Sequence, residues 1–298
     1  MHTRLQRSLA RPVTVRGFGF LTGADITLTF LPAAPNSGIA FQRVDLPHTD
    51  PIPALLEFVV PRQRRTAISR DGATVEMVEH VMAALAGLQI DNCLVQLNAP
   101  EPPGGDGSSL LFVQALLDGE IVEQAAQRDV LVVTGECRAG DVLQRGGMMS
   151  ASPILRRSLV ITYELDYGPR SPIRPQCLTF EFTPEMFITN LSFARTFVLE
   201  AEAAALKAQG YGTRVTPRDL VIFGDEGVID NELRCIDECV RHKVLDCIGD
   251  FALLGCDVHG HFRAFRSGHS LNHEICRQVV ASVSPVDPPL DLTACHAA

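Results

Sequence analysis

Two stretches decide how this chain is read: Val78-Glu79-His80, which opens VEHVMAALAG (78–87), and Val240-Arg241-His242-Lys243-Val244-Leu245-Asp246, which opens VRHKVLDCIG (240–249). The first falls in a helix expected from about Val75 to Leu85, because Val75, Val78, Met82 and Leu85 recur at helical spacing. The second falls in a helix expected over 235–254. His242 and Asp246 stand at i and i+4, so on a helix both side chains project from one face. Taken singly, such a pair is more often a surface or capping contact, and a histidine in an apolar helix is more often a satisfied core residue. Taken together, two histidines and an aspartate match the three-ligand open site of hydrolytic zinc enzymes. Glu79, beside His80, is then placed to take a proton from an attacking water. The stretches superpose at a constant offset that aligns Val78 with Val240, His80 with His242 and Gly87 with Gly249. One such helix per domain would bring the two histidines together at a domain interface.

Composition narrows the classes. With 298 residues, 46% hydrophobic and 20% charged, the chain can bury a core in two α+β domains. A net charge of −9 argues against nucleic acid as a partner. The longest apolar run, LLFVQALL, stops at Asp118, too short to span a membrane. Nine cysteines, Cys295 among them, form an odd set without a C-x-x-C pair, which reads as reduced, mostly buried thiols. The arginine-rich first sixteen residues run straight into the alternating TVRGFGF rather than into a cleavage site.

The first half predicts strands near 12–20, 25–31, 39–43 and 55–60, the Val75 helix, a strand at CLVQLNA and a helix near 109–118. The second half predicts strands at DVLVVT, SLVITYELDY, CLTFEFT and DLVIFG, helices at EAEAAALKAQ and 235–254, and a last helix after Asn272. The boundary is expected at Gln127-Arg128-Asp129, giving units 1–127 and 128–298. In FRSGHSLN, Gly268 places His269 on a loop or strand end, where its protonated ring could serve an oxyanion or a leaving amine with Asp250 orienting it. His259, His261 and His273 compete for that role, and His259-Gly260-His261 reads as a turn between strands.

VEHVMAALAGLQIDN, SFARTF, CVRHKVLDCIGDFALLG and FRSGHSLN, with QRSL, GFGFLTG, PNSGIAFQRVDLP and PEPPGGDGSS around them, closely resemble the zinc-dependent UDP-3-O-acyl-N-acetylglucosamine deacetylases of lipid A synthesis. The resemblance implies two similar domains, each a β-sheet layered against helices, packed face to face as a β-α-α-β sandwich. It implies zinc on His80, His242 and Asp246, with Glu79 as general base and His269 as general acid or oxyanion partner oriented by Asp250. It further implies Thr196 as an oxyanion donor, Lys243 at the substrate's carbonyl or phosphate, and Phe197 beside the nucleotide or sugar. A cytoplasmic monomer acting on a small UDP-acyl-amino sugar is the expectation. Two departures qualify it. Leu21 stands where the family has a histidine, and GYGTRVTPRD replaces a Gly-Gly-Ser-Leu-Asp-Asn stretch, so the acyl chain, another N-acetylated sugar, or a non-catalytic sugar-binding role all stay open. The same holds for zinc against iron. EMFITNLSF could line an apolar groove or pack in the core.

Overall fold

In the strand Asp25–Pro32 alternate side chains, Ile26, Leu28 and Phe30, are buried, as a period of two requires of a sheet with one face on a core. The computed structural model describes residues 4–140 and 146–282, so Cys295 lies outside the described residues. Asp25–Pro32 belongs to a five-stranded sheet ordered Val13–Phe18, Asp25–Pro32, Cys93–Leu97, Ile39–Arg43, Ile52–Pro53. Only the pairing of Cys93–Leu97 with Ile39–Arg43 is parallel. A larger sheet runs Cys137–Gly140, Met148–Ser152, Asp257–Phe265, Leu159–Leu165, Gln176–Glu181, with Val130–Val132 joined parallel to its central strand. The first sheet draws only on residues before 98 and the second only on residues after 129.

Six α-helices stand among the described residues: α1 Glu79–Gly87, α2 Leu110–Asp118, α3 Pro184–Asn190, α4 Glu200–Ala208, α5 Glu238–Phe251 and α6 His269–Ser282. α2 packs on the smaller sheet and on α1, α1 packs on α5, and α5 and α6 pack on the larger sheet. The layers therefore run sheet, helices, helices, sheet, and the α+β sandwich expected from the sequence is the observed architecture.

The contact of α1 with α5 rests on a missing side chain. A Cβ added at Gly249 would run into the backbone carbonyl of Glu79 and lie 3.2 Å from the Ala83 nitrogen. Backbone cannot step aside as a flexible side chain can. Gly249→Ala is therefore expected to destabilise the fold by about 1–3 kcal/mol, the usual cost of overpacking, read as a lower midpoint in chemical denaturation with unchanged slope. An unchanged midpoint would mean the helices are free to separate.

Several expected elements shift. Val75 belongs to the strand Ala73–Glu76, and Met77, at φ 57°, breaks the chain before α1 begins at Glu79. The expected strand at 55–60 is a 3-10 turn, Leu56–Phe58, followed by the short strand Val59–Val60. The long helix ends at Phe251 and continues as a 3-10 turn over Ala252–Leu254. His259-Gly260-His261 is no turn but the middle of the strand Asp257–Phe265, where Gly260 lets the strand lie close against Val133. EMFITNLSF forms most of α3, whose Phe187 is fully buried and fills the space above Gly87. Core packing accounts for Phe187 and Leu191, while Met186 stays exposed.

Candidate active site

His80 and His242 meet where α1 crosses α5, their ring centroids 5.1 Å apart. Asp246 lies one turn beyond His242, its Oδ1 3.4 Å from His242 Nε2 and 3.6 Å from His80 Nε2. One donor atom from each of the three falls within 4.8 Å of the others, and all three residues are buried. His80, far in sequence from His242 and Asp246, could with them hold one metal ion.

Their chemistry fits a cation. Among the described residues, Asp246 Oδ1 is the buried side-chain oxygen or nitrogen left without a hydrogen-bond partner. An orphaned, buried acceptor costs roughly 1–3 kcal/mol unless something compensates it. Its twin, Oδ2, accepts from Lys243 Nζ at 2.8 Å. Burial disfavours charge on Asp246, but His242 when it is protonated and Lys243 throughout outweigh it and hold the carboxyl well below its ordinary value. Burial takes His242 down to about 3, so its ring is neutral, and Nδ1 donates to the Ala194 carbonyl at 3.1 Å. That bond leaves the Nε2 lone pair facing Asp246, the arrangement common to metal-binding histidines.

The strut that positions this carbonyl was not anticipated. Arg195 sends Nε to Glu238 Oε1 at 2.7 Å and Nη2 to Oε2 at 3.0 Å, both residues being buried. Glu238 also accepts the backbone N–H groups of Arg195 and Arg234. The ARTF segment is thereby fastened to the first turn of α5, with Ala194 on one side of Arg195 and Phe197 two residues beyond it. Phe197 meets His242 at 6.1 Å between centroids, and Lys243 Nζ lies 5.7 Å from the Phe197 ring centre. Thr196 is held through its backbone by Gly107 and Val221, next in sequence to Phe197.

Glu79 opens α1 and is buried, with Oε2 accepting the Thr66 amide at 3.0 Å and Oε1 3.9 Å from His269 Nε2. Burial pushes its carboxyl up, against the opposing charges of His269 and His80. His269 is not on a loop: it is the first residue of α6, because the N–H of Asn272 already bonds back to the Gly268 carbonyl. Its Nδ1 meets Asp250 Oδ2 at 2.8 Å. Burial opposes charge on the ring, yet Asp250, Glu79 and Asp246 together raise it to about 9. Asp250 is completely buried and held low chiefly by His269 and His273 against its own desolvation. Of the competing histidines, His273 reaches this cluster, whereas His261 bonds Thr162 on the larger sheet and His259 lies on the same strand as His261.

The replaced loop reaches the turn that carries Leu21. Arg214, in the replaced loop, donates to the Gly23 carbonyl at 2.8 Å and to Asp25 at 2.7 Å, and stacks 4.6 Å over Phe18. Leu21 and Thr22 are held by their backbone amides on Glu101. Neither anchor needs a histidine at position 21.

The described cysteines are all free. No described helix is long and apolar enough to cross a membrane.

The family described as UDP-3-O-acyl N-acetylglycosamine deacetylase (LpxC) matches residues 6–281. A UDP-3-O-acyl-N-acetylglucosamine deacetylase of Myxococcus xanthus (strain DK1622) is 36% identical over 280 residues, covering 94% of this chain and 87% of that protein. The protein of that name from Geotalea uraniireducens (strain Rf4) is 36% identical over 295 residues, covering 97% and 94%. The one from Neisseria meningitidis serogroup C (strain FAM18) is 34% identical over 291 residues, covering 95% and 92%. Matches of this extent, along nearly the whole of both sequences, mean that the chain belongs to the UDP-3-O-acyl N-acetylglycosamine deacetylase family.

Proposed function

We propose that this protein is a zinc-dependent amidohydrolase that removes the N-acetyl group from UDP-3-O-acyl-N-acetylglucosamine, releasing acetate and the free amine in lipid A biosynthesis. In this reading it works as a monomer in the cytoplasm, with units 1–127 and 128–298 each supplying part of the site. The observation that carries the reading is the orphaned Oδ1 of Asp246 beside two imidazole nitrogens, with the Glu79 carboxylate and the His269 imidazole close by.

His80, His242 and Asp246 would hold the ion, and zinc, when bound, polarises the acetamide carbonyl and makes a water easier to deprotonate. The chain's own groups do the rest. Glu79, its basicity raised by burial, takes the proton of the water that attacks the carbonyl carbon. Thr196 and protonated His269 donate to the carbonyl oxygen as it becomes an oxyanion. When the C–N bond breaks, His269 or the newly protonated Glu79 supplies the proton that the departing amine needs. Lys243, engaged with Asp246 and the face of Phe197, offers a cation toward the substrate's carbonyl or phosphate, and Phe197 a surface for the sugar or nucleotide.

The test is acetate release from the authentic acylated substrate by protein of defined metal content. One zinc per chain, loss of turnover on chelation and recovery with zinc are expected. Turnover indifferent to chelation, or stronger recovery with iron, would revise the metal. The replaced loop at Arg214 leaves one alternative, a divergent N-acetyl sugar as substrate. A panel of UDP-sugars with and without the 3-O-acyl chain separates the two, because this reading requires the acylated compound to be turned over fastest.

A further inference from the structure

Thr66 stands immediately before the strand Ala67–Arg70, is 1% exposed, and has every polar group engaged. Its N–H donates to Glu79 Oε2 at 3.0 Å, and its carbonyl accepts the Val78 amide that leads into α1. Its hydroxyl lies 2.6 Å from Asp250 Oδ1 and 3.1 Å from His273 Nε2. A hydroxyl has one proton to give. The carboxylate can only accept, so that proton goes to Asp250, and His273 Nε2 must in turn donate to the threonine oxygen. Asp250 Oδ1 is thus claimed from one side by Thr66 and His273. Oδ2 is left to His269 Nδ1 and Asn272 Nδ2, both at 2.8 Å.

These contacts close a ring running from the Thr66 amide through Glu79, His269 and Asp250 back to the Thr66 hydroxyl. Only one edge is not a hydrogen bond: Glu79 Oε1 to His269 Nε2, at 3.9 Å. We propose that Thr66 is a positioning residue that sets the width and alignment of that open edge, fixing the base through its amide and the Asp250–His269 pair through its hydroxyl. Proton exchange with substrate takes place across the gap so defined. The inference rests on the roles proposed above for Glu79 and His269.

Thr66→Val keeps shape and amide and deletes the hydroxyl, whereas Thr66→Ser keeps the hydroxyl. With acylated substrate and wild-type enzyme as reference, valine is expected to lower kcat by about 10- to 100-fold, the scale of a lost outer-shell partner, with KM and bound metal little changed. Serine restores most of the turnover. In a His269→Ala background the valine change should cost far less, because the ring it serves is already broken. A merely structural hydroxyl would cost the same factor in both backgrounds. That equality, or a valine enzyme with wild-type kcat, overturns the inference while leaving the functional reading intact. A wild type that releases no acetate overturns both. If the valine protein does not fold, Thr66→Ala is judged by the same measurements.

Discussion

Glu79→Gln is expected to lower the rate of deacetylation by about 10²- to 10⁴-fold, the contribution of a well-placed general base, while leaving the metal and the fold in place. Glutamine is nearly isosteric, and its side-chain oxygen can still accept the Thr66 amide that holds Oε2. What it cannot do is take a proton. Because Glu79 is buried, its carboxyl is already displaced toward the neutral form, which makes the anion a stronger base than a solvated glutamate. The check combines kcat from acetate release, metal content by elemental analysis, and thermal denaturation. A variant that keeps its metal and its melting temperature but turns over within about tenfold of wild type would assign the base elsewhere.

The grouping of His242 with Asp246 and of Glu79 with His80 was legible in the sequence because its information is local. A histidine and an aspartate four apart on one helix must share a face, and Glu79-His80 sits in an alanine-rich segment that packs closely. That the two segments meet was suggested by the aligned Gly87 and Gly249. The structure gives those glycines different neighbours: Gly249 admits the backbone of α1, whereas Gly87 admits the ring of Phe187. Register alone could not distinguish a helix crossing from a pocket for an aromatic ring.

What the sequence hid depended on distant partners or on unusual backbone. Val75 shares a helical spacing with Val78, Met82 and Leu85, yet Met77 adopts a positive φ that no periodicity reports, and the helix starts two residues later. Glycine before His269 suggested a loop, but Gly268 supplies the carbonyl that closes the first turn of α6. Thr66 and Asp250 lie 184 positions apart, and Arg195 and Glu238 lie 43 apart. A lone threonine before a short strand gives no local sign that it touches both the proposed base, Glu79, and the carboxylate of Asp250. The Arg195–Glu238 strut had a weak signal, since a buried arginine needs a carboxylate and α5 begins with one. The loop that most departs from the family pattern was legible only as a departure. Its attachment through Arg214 to Gly23 and Asp25 needed the folded chain.

His269→Ala is expected to reduce turnover by about 10²- to 10³-fold, as loss of an oxyanion donor does, and Asp250→Asn should reveal why the residue works near neutral pH. In the folded protein burial alone would strip the proton from His269, but the carboxylates of Asp250, Glu79 and Asp246 raise the ring to about 9. The imidazolium is therefore present below that pH and lost above it, so turnover that needs this proton falls on an alkaline limb. A dication held by His80, His242 and Asp246 would repel the imidazolium and bring the limb below that value. In Asp250→Asn the largest raising influence is gone and desolvation wins. The alkaline limb should move to lower pH by about one unit or more, the scale set by one close opposite charge. At a pH between the two limbs the variant is slow because its ring is neutral, and acidifying the assay should recover part of the lost rate. The measurement is kcat/KM against pH for wild type and variant at fixed metal occupancy. Superposable profiles would show that the proton lost on the alkaline side belongs to a group other than His269, whereas a limb displaced toward acid ties it to the pair formed by His269 and Asp250.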